Sequence, residues 1–280
     1  MSNRVGALAA SALLRVIALE LATATASTAT PPPALMQFIM TGDSTVHGTL
    51  TGPTGTLNDP TISPVYKLAS LIEAEFHNTV IPVNRGKGSA DIPAIQADLT
   101  LTPVSLEAGY TPYWVHKMSV HDYINVTPLP DLADVLQDTL DFLDWIHAQY
   151  PTIPKANIFL MLVTAYNPNT QIPSPQAFEQ YWARQQAYAD NFIANWPTDQ
   201  YPMITKPWWG SMTHDANGAY FPNLDMLVED PSSGLKTVHQ NEAGMEITAS
   251  DILDQLCKMK AWRAYKTINV PVHLLLAPQE

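Results

Sequence analysis

The sequence predicts an α/β fold, a three-layer sandwich whose mainly parallel central sheet is covered by helices on both faces. Short apolar runs that end in polar, glycine-bearing turns alternate with longer segments whose apolar residues recur every three or four positions. Parallel strands need crossover connections, and helices of that length supply them. Composition agrees: 280 residues, 46% hydrophobic and 14% charged, hold enough apolar material for a substantial core. The expectation is a leader over residues 1–34 and one domain over residues 35–280.

The leader begins with Arg4, runs through an Ala/Leu-rich stretch and ends in small residues, the outline of a secretory signal. Arg15 and Glu20 interrupt its apolar run, so two readings stand. It is either a signal peptide, with a secreted or periplasmic product, or an ordinary leader that leaves the cytoplasm open. Pro31, Pro32 and Pro33 favour an extended linker, which starts the domain near Leu35. No later stretch is long and apolar enough to span a bilayer.

Leu35 to Met40 reads as a buried strand that delivers the polar turn Thr41-Gly42-Asp43-Ser44 at its carboxyl end. A Gly/Pro/Thr-rich loop is expected from Thr49 to Pro64. Val65, Leu68, Ala69, Ile72 and Phe76 then repeat with helical period. Thr79 to Val83 is a second strand, ending in Asn84-Arg85-Gly86-Lys87-Gly88-Ser89. Tyr113 to Val120 is a third, although His116 and Lys117 make it less apolar. From Asp131 the positions Val135, Leu136, Leu140, Leu143 and Ile146 form an amphipathic helix, and Asn157 to Val163 is a buried strand. Further helices carry Phe178 to Trp196 and Glu242 to Tyr265. In such sheets ligands bind at the carboxyl ends of the strands, where the turns at Gly42, Gly88 and Ser119 all emerge.

Net charge is −12, from 14 basic and 26 acidic side chains, so no electrostatic footprint for a phosphate backbone exists and nucleic acid is not an expected partner. The single cysteine, Cys257, can form no intrachain disulfide and reads as a small core residue. His47, His116, His121 and His214 show no metal-ligand spacing, so neither a metal nor another cofactor is expected.

Two segments carry chemistry. A serine on the turn Gly42-Asp43-Ser44-Thr45 can expose its hydroxyl above the sheet while its own N–H faces the same cavity, giving a nucleophile and an oxyanion donor together. Alone, that turn reads first as a helix cap. Far downstream, Val238-His239-Gln240-Asn241 opens the last helix, and a loop histidine there can reach back to take a proton from a serine.

Over residues 36–256 these segments resemble the SGNH (GDSL-type) hydrolases, whose fold is flavodoxin-like. Gly42-Asp43-Ser44 matches the first block, which implies Ser44 as the acyl-accepting nucleophile. Asn84 to Ser89 is similar to the second, implying an oxyanion N–H from Gly88, with Gly86 as the fallback. Val238-His239-Gln240-Asn241 with Gly244 resembles the last, implying His239 as base. The chain departs from the pattern twice. Ser119-Val120-His121-Asp122 stands where Gly-x-Asn-Asp is expected, so His121, or Asn125 as second choice, would supply the side-chain donor, while Asp122 is a structural hydrogen-bonding residue. Lys236 stands where the triad acid is expected, three residues before the histidine. The readings are a Ser–His dyad, a displaced acid from Asp230 or Glu229, or an inactive relative. Trp208 and Trp209 are either a substrate wall or loop packing.

The resemblance implies a carboxylic ester hydrolase acting on a small-molecule or carbohydrate ester, with short, acetyl-like acyl groups. The competing reading is a carbohydrate-binding protein that kept the scaffold and lost the machinery. Acyl transfer to a sugar differs only in the acceptor.

Overall fold

The apolar run that opens the domain becomes strand β1, Leu35–Gly42, in which every residue after Leu35 is buried. A computed structural model of the chain describes residues 30–52, 55–58, 63–119, 122, 130–162, 187–205, 212–214, 220–222, 227–230 and 235–262. Between β1 and the next strand of the main sheet, a hairpin of β2 (Thr49–Gly52) and β3 (Gly55–Asn58) occupies part of the segment expected to be loop. The main sheet is completed by β4 (Thr79–Gly86), β5 (Thr111–Lys117), β6 (Ile158–Met161) and β7 (Met203–Ile204), and a separate hairpin of β8 (Met212–His214) and β9 (Tyr220–Pro222) follows. The main sheet has the order β4-β1-β5-β6-β7, and every pairing in it is parallel. The expected α/β fold class is therefore observed.

That order fixes where a site can form. The chain leaves β1 for β4 on one side and returns to β5 on the other, so the connections diverge between β1 and β5. Their carboxyl ends flank the crevice that such a reversal opens. The strand expected over Tyr113 to Val120 ends at Lys117, with Met118 and Ser119 beyond it and Val120 outside the described residues.

The helices follow their caps and stripes. After α1 (Ser44–His47), α2 (Pro64–Phe76) packs on β4 and β1. Helix α3 (Ile92–Leu101) was not anticipated; Asp91 caps it by accepting from the Ala94 N–H at 2.9 Å, and Pro93 sits in its first turn. Ile92, Ile95 and Leu99 give it one buried stripe. Helix α4 (Leu132–Gln149) starts at Asp131, whose carboxylate accepts from the Ala133 N–H. Residues 187–195 form α5, and Glu242–Met259 form α6; the expected extensions over residues 178–186 and 263–265 lie outside the described residues.

Ile39, Trp114 and Leu160 of the sheet share one buried cluster with Ile95 of α3, Phe142 of α4 and Phe192 of α5. Leu68 and Ile72 of α2 and Met245 and Ile252 of α6 are buried outside that cluster. Two helical layers thus enclose the strands. By backbone contacts the chain divides into Pro33–Leu256, which holds the sheet, and a second unit of Met1–Pro32 with Cys257–Glu280, in which Thr30 and Trp262 form a parallel bridge. Among the described residues no helix is long and apolar enough to cross a membrane.

One polar group penetrates this core. The Trp114 indole N–H donates to Thr41 Oγ1 at 3.0 Å, and Thr41 Oγ1 lies 3.1 Å from Nδ1 of the fully buried His116. With its oxygen already accepting from Trp114, the Thr41 hydroxyl is free to donate to a neutral imidazole. Burial, reinforced by the Lys117 charge and opposed by Asp43, lowers His116 to about 3, so it stays uncharged.

Leu160, fully buried in β6 between β5 and β7, tests the core directly. Leu160→Ala is expected to cost about 2–5 kcal/mol in a urea unfolding titration.

Candidate active site

The candidate nucleophile is delivered by backbone geometry at the end of β1. Gly42 has φ +154°, and a Cβ there would lie 2.7 Å from Val46 Cγ2 and 3.1 Å from the Lys117 carbonyl. Only glycine suits both the conformation and the space. Asp43 is the N-cap of α1: its Oδ1 accepts from the Thr45 N–H at 3.0 Å and from the Thr45 hydroxyl at 2.7 Å. The Val46 and His47 N–H groups bond to the Asp43 carbonyl. Ser44 is therefore the first residue of a capped turn at the carboxyl edge of the sheet.

His239 arrives from the opposite end of the domain. It lies not in a loop, as expected, but in β11 (Leu235–Gln240), paired antiparallel with β10 (Leu227–Asp230). A strand fixes the approach of the ring more firmly than a loop does. Its Nε2 stands 3.0 Å from Ser44 Oγ across 195 positions of sequence. Burial pushes the imidazole below its usual value; Asp43 opposes that shift and Lys117 reinforces it. A neutral ring, able to accept a proton, is the result near neutral pH.

Beneath this couple lies a buried ion pair. Lys117, at the end of β5, places Nζ 3.0 Å from each carboxylate oxygen of Asp43 and 3.1 Å from the Met118 carbonyl. Both side chains are about as dry as the core, at 1% and 2% exposure. Burial alone would raise the Asp43 carboxyl, but the Lys117 ammonium and the hydrogen bonds from Thr45 and Lys117 outweigh it and hold the group below its usual value. Sequence reasoning saw Lys117 only as a blemish in a strand. Its signal was a lysine near the end of an apolar run, on the edge that also receives Asp43.

The second turn packs on the first. Asn84 Nδ2 donates to the His47 carbonyl at 3.2 Å, Asn84 Oδ1 accepts from the Gly86 N–H at 2.9 Å, and the Lys87 N–H donates to the Gly42 carbonyl at 2.9 Å. A Cβ on Gly86 would fall 2.4 Å from His47 N and 2.7 Å from Val46 C, whereas one on Gly88 would meet nothing within 4 Å. The close-packed glycine is thus Gly86, whose N–H is already engaged, while Gly88 is exposed. Ser89 beside it adopts φ +54°.

Among the remaining sequence candidates, Asp230 pairs with Leu235 and Glu229 with Lys236. Leu235 is four positions from His239 along β11, about 13 Å at the usual strand rise, so the backbone does not bring Asp230 to the imidazole. His121, Asn125, Trp208 and Trp209 lie outside the described residues. Asp122 accepts from the Ile92 N–H at 2.7 Å and so anchors the start of α3. Its other oxygen, Oδ2, is buried without a hydrogen-bond partner among the described residues. Burial, with Asp91 and Asp43 nearby and against bonds from Ile92 and Ser119, pushes its carboxyl up to about 7. Cys257, expected in the core, is partly exposed. Among the described residues no three His, Cys, Asp or Glu side chains are grouped to hold a metal ion.

The sheet thus carries Ser44 after its first strand and receives His239 from near the end of the chain, the arrangement that the resemblance to SGNH-type motifs implies. No family model and no curated protein matches the sequence. Solved structures do match its fold. The lipase/acylhydrolase from Enterococcus faecalis superposes with a TM-score of 0.52 at 14% identity, covering 79% of this chain and 95% of that one. A carbohydrate esterase family 2 enzyme with a carbohydrate-binding domain, from Corynascus thermopiles (Myceliophthora fergusii), gives 0.49 at 14% identity over 83% and 69% of the two chains. A lipolytic G-D-S-L family protein from Veillonella parvula gives 0.45 at 13%, over 78% and 97%. The chain thus shares its α/β fold with the Enterococcus faecalis lipase/acylhydrolase.

Packing distinguishes the two glycines. Gly86→Ala is expected to destabilise the chain by about 1–3 kcal/mol in chemical denaturation, and Gly88→Ala to stay within about 0.5 kcal/mol of wild type.

Asp122 gives a pH signature. Because its folded value is raised, its contribution to stability is complete below the unfolded value of about 4 and is lost as pH rises through about 7. Asp122→Asn keeps the Ile92 bond and cannot ionise. Its melting temperature relative to wild type is expected to rise steadily from about pH 4 to about pH 8.

Proposed function

We propose that this chain is a serine-dependent carboxylic ester hydrolase that works through an acyl-enzyme. The observation that carries the reading is the 3.0 Å approach of His239 Nε2 to Ser44 Oγ. In the proposed reaction the Ser44 oxygen attacks the ester carbonyl while Nε2 accepts its proton. The imidazolium returns that proton to the departing alkoxide, and the same base then activates water to release the acid. The oxyanion is held by the Ser44 N–H, which no bond of the capped turn consumes, together with the Gly88 N–H and the His121 side chain.

The strand register supports a Ser–His dyad over an acid from Asp230. A lowered imidazole supports the base role, since a neutral ring is in place before substrate arrives. The Enterococcus faecalis protein that shares this fold is named a lipase/acylhydrolase, in keeping with acyl-ester cleavage. Short, acetyl-like acyl groups are the proposed substrates, with carbohydrates among the alcohols that Trp208 and Trp209 would suit.

Two measurements test the reading. A fluorophosphonate probe is expected to label wild-type protein at Ser44, and Ser44→Ala to lose at least about 10³-fold in hydrolysis of a short-chain aryl acetate with an unchanged melting curve. An unlabelled Ser44 in a protein that retains affinity for sugars would favour the scaffold-only carbohydrate binder instead.

A further inference from the structure

We infer that the buried Asp43–Lys117 pair is a positioning device for the Ser44–His239 couple: it locks the serine turn to the end of β5 and balances the charge that the imidazole faces. The inference rests on the ester-hydrolase reading of the same site. Its starting point is that two ionised groups have been placed where water cannot reach them, one residue from the nucleophile. Stability alone gives no reason for that, because a buried pair is replaced by apolar side chains without loss in many proteins. Placement gives the reason. Asp43 Oδ1 takes the Thr45 N–H, the Thr45 hydroxyl and the Lys117 ammonium, so a single oxygen caps α1 and ties it to β5. Lys117 spends its remaining donor capacity on the Met118 carbonyl. Neither end of the bridge can turn without unseating Ser44.

The electrostatics point the same way. At His239 the carboxylate favours the protonated ring and the ammonium disfavours it, so the two charges pull on one base in opposite directions. Among the described residues, other charged and titratable groups also stand near the pair. His116, beside Lys117 on β5, stays neutral; Asp122 senses the Asp43 charge; His47 ends the turn that Asp43 caps. On the hairpin that carries His239, Lys236 is paired in register with Glu229, and at the start of α6 Glu242 is held by Lys67 of α2. Lys236 itself occupies the position where an acid would orient the imidazole.

The test compares wild type with K117Q, D43N and the double variant D43N/K117Q, reading the acid limb of kcat/KM for an aryl acetate and the rate of fluorophosphonate labelling. K117Q leaves the Asp43 carboxylate unopposed, so its acid limb is expected to move to higher pH by about one unit. D43N leaves the ammonium unopposed, and its limb is expected to move to lower pH. The double variant returns the limb towards its wild-type position, with labelling slower by about tenfold because the bridge to β5 is gone. General damage to the fold cannot produce shifts of opposite sign. Limbs that stay in place, or move in the same direction, overturn the inference while leaving the hydrolase reading intact. If the single variants do not fold, the double variant, which buries no charge, decides: wild-type labelling speed overturns the inference and slowed labelling supports it. Wild-type protein that neither labels nor hydrolyses the ester removes the underlying reading and the inference with it.

Discussion

The ion pair between Asp43 and Lys117 ties together the carboxyl ends of β1 and β5, the two strands between which the chain reverses direction across the sheet. That reversal opens a crevice in any sheet of this order; the pair determines what stands in it. Removing one partner of such a dry pair costs about 3–5 kcal/mol, because the other charge is left without solvent or counterion. The turn that presents Ser44 is thereby anchored on three sides: by the cap from Asp43, by the Asn84 bond to its last carbonyl, and by Gly86 lying against its backbone.

A histidine can serve as base provided that it is held in place and is neutral before substrate binds. Here the hairpin of β10 and β11 does the holding, and burial keeps the ring neutral. The departure at Lys236 therefore reads differently in three dimensions than in sequence. It is a strand residue in register with Glu229, not a misplaced catalytic group. Around that imidazole the Asp43 carboxylate favours the protonated ring and the Lys117 ammonium disfavours it.

Much of the fold was legible because its signals are local. The apolar runs of β1, β4 and β6 and the helical stripes of α2 and α4 each announce themselves within about a dozen residues, and their alternation implies a parallel sheet. Helix α3 was missed although Asp91, Pro93, Ile95 and Leu99 carry its cap and stripe, since exposed Ala97 and Leu101 blur that stripe over only ten residues. The β2–β3 hairpin was missed because its strands are short and rich in Thr and Gly, with no apolar alternation to reveal them. Strand β7 has only two residues and exists by pairing with β6, which no local pattern encodes.

By itself, the sequence singled out Ser44 and His239 as candidates, the succession of the principal strands and helices along the chain, and the edge of the sheet at which polar turns would gather, because residue chemistry and hydrophobic periodicity are written along the chain. Only the tertiary structure decided that Ser44 and His239 meet, that Gly86 rather than Gly88 is the glycine pressed against the serine turn, that Asp230 is held away by strand register, and that Lys117 turns inward to Asp43. Each of these is a distance between residues remote in sequence. Such distances follow from how strands pair and layers pack, which no local run of residues specifies.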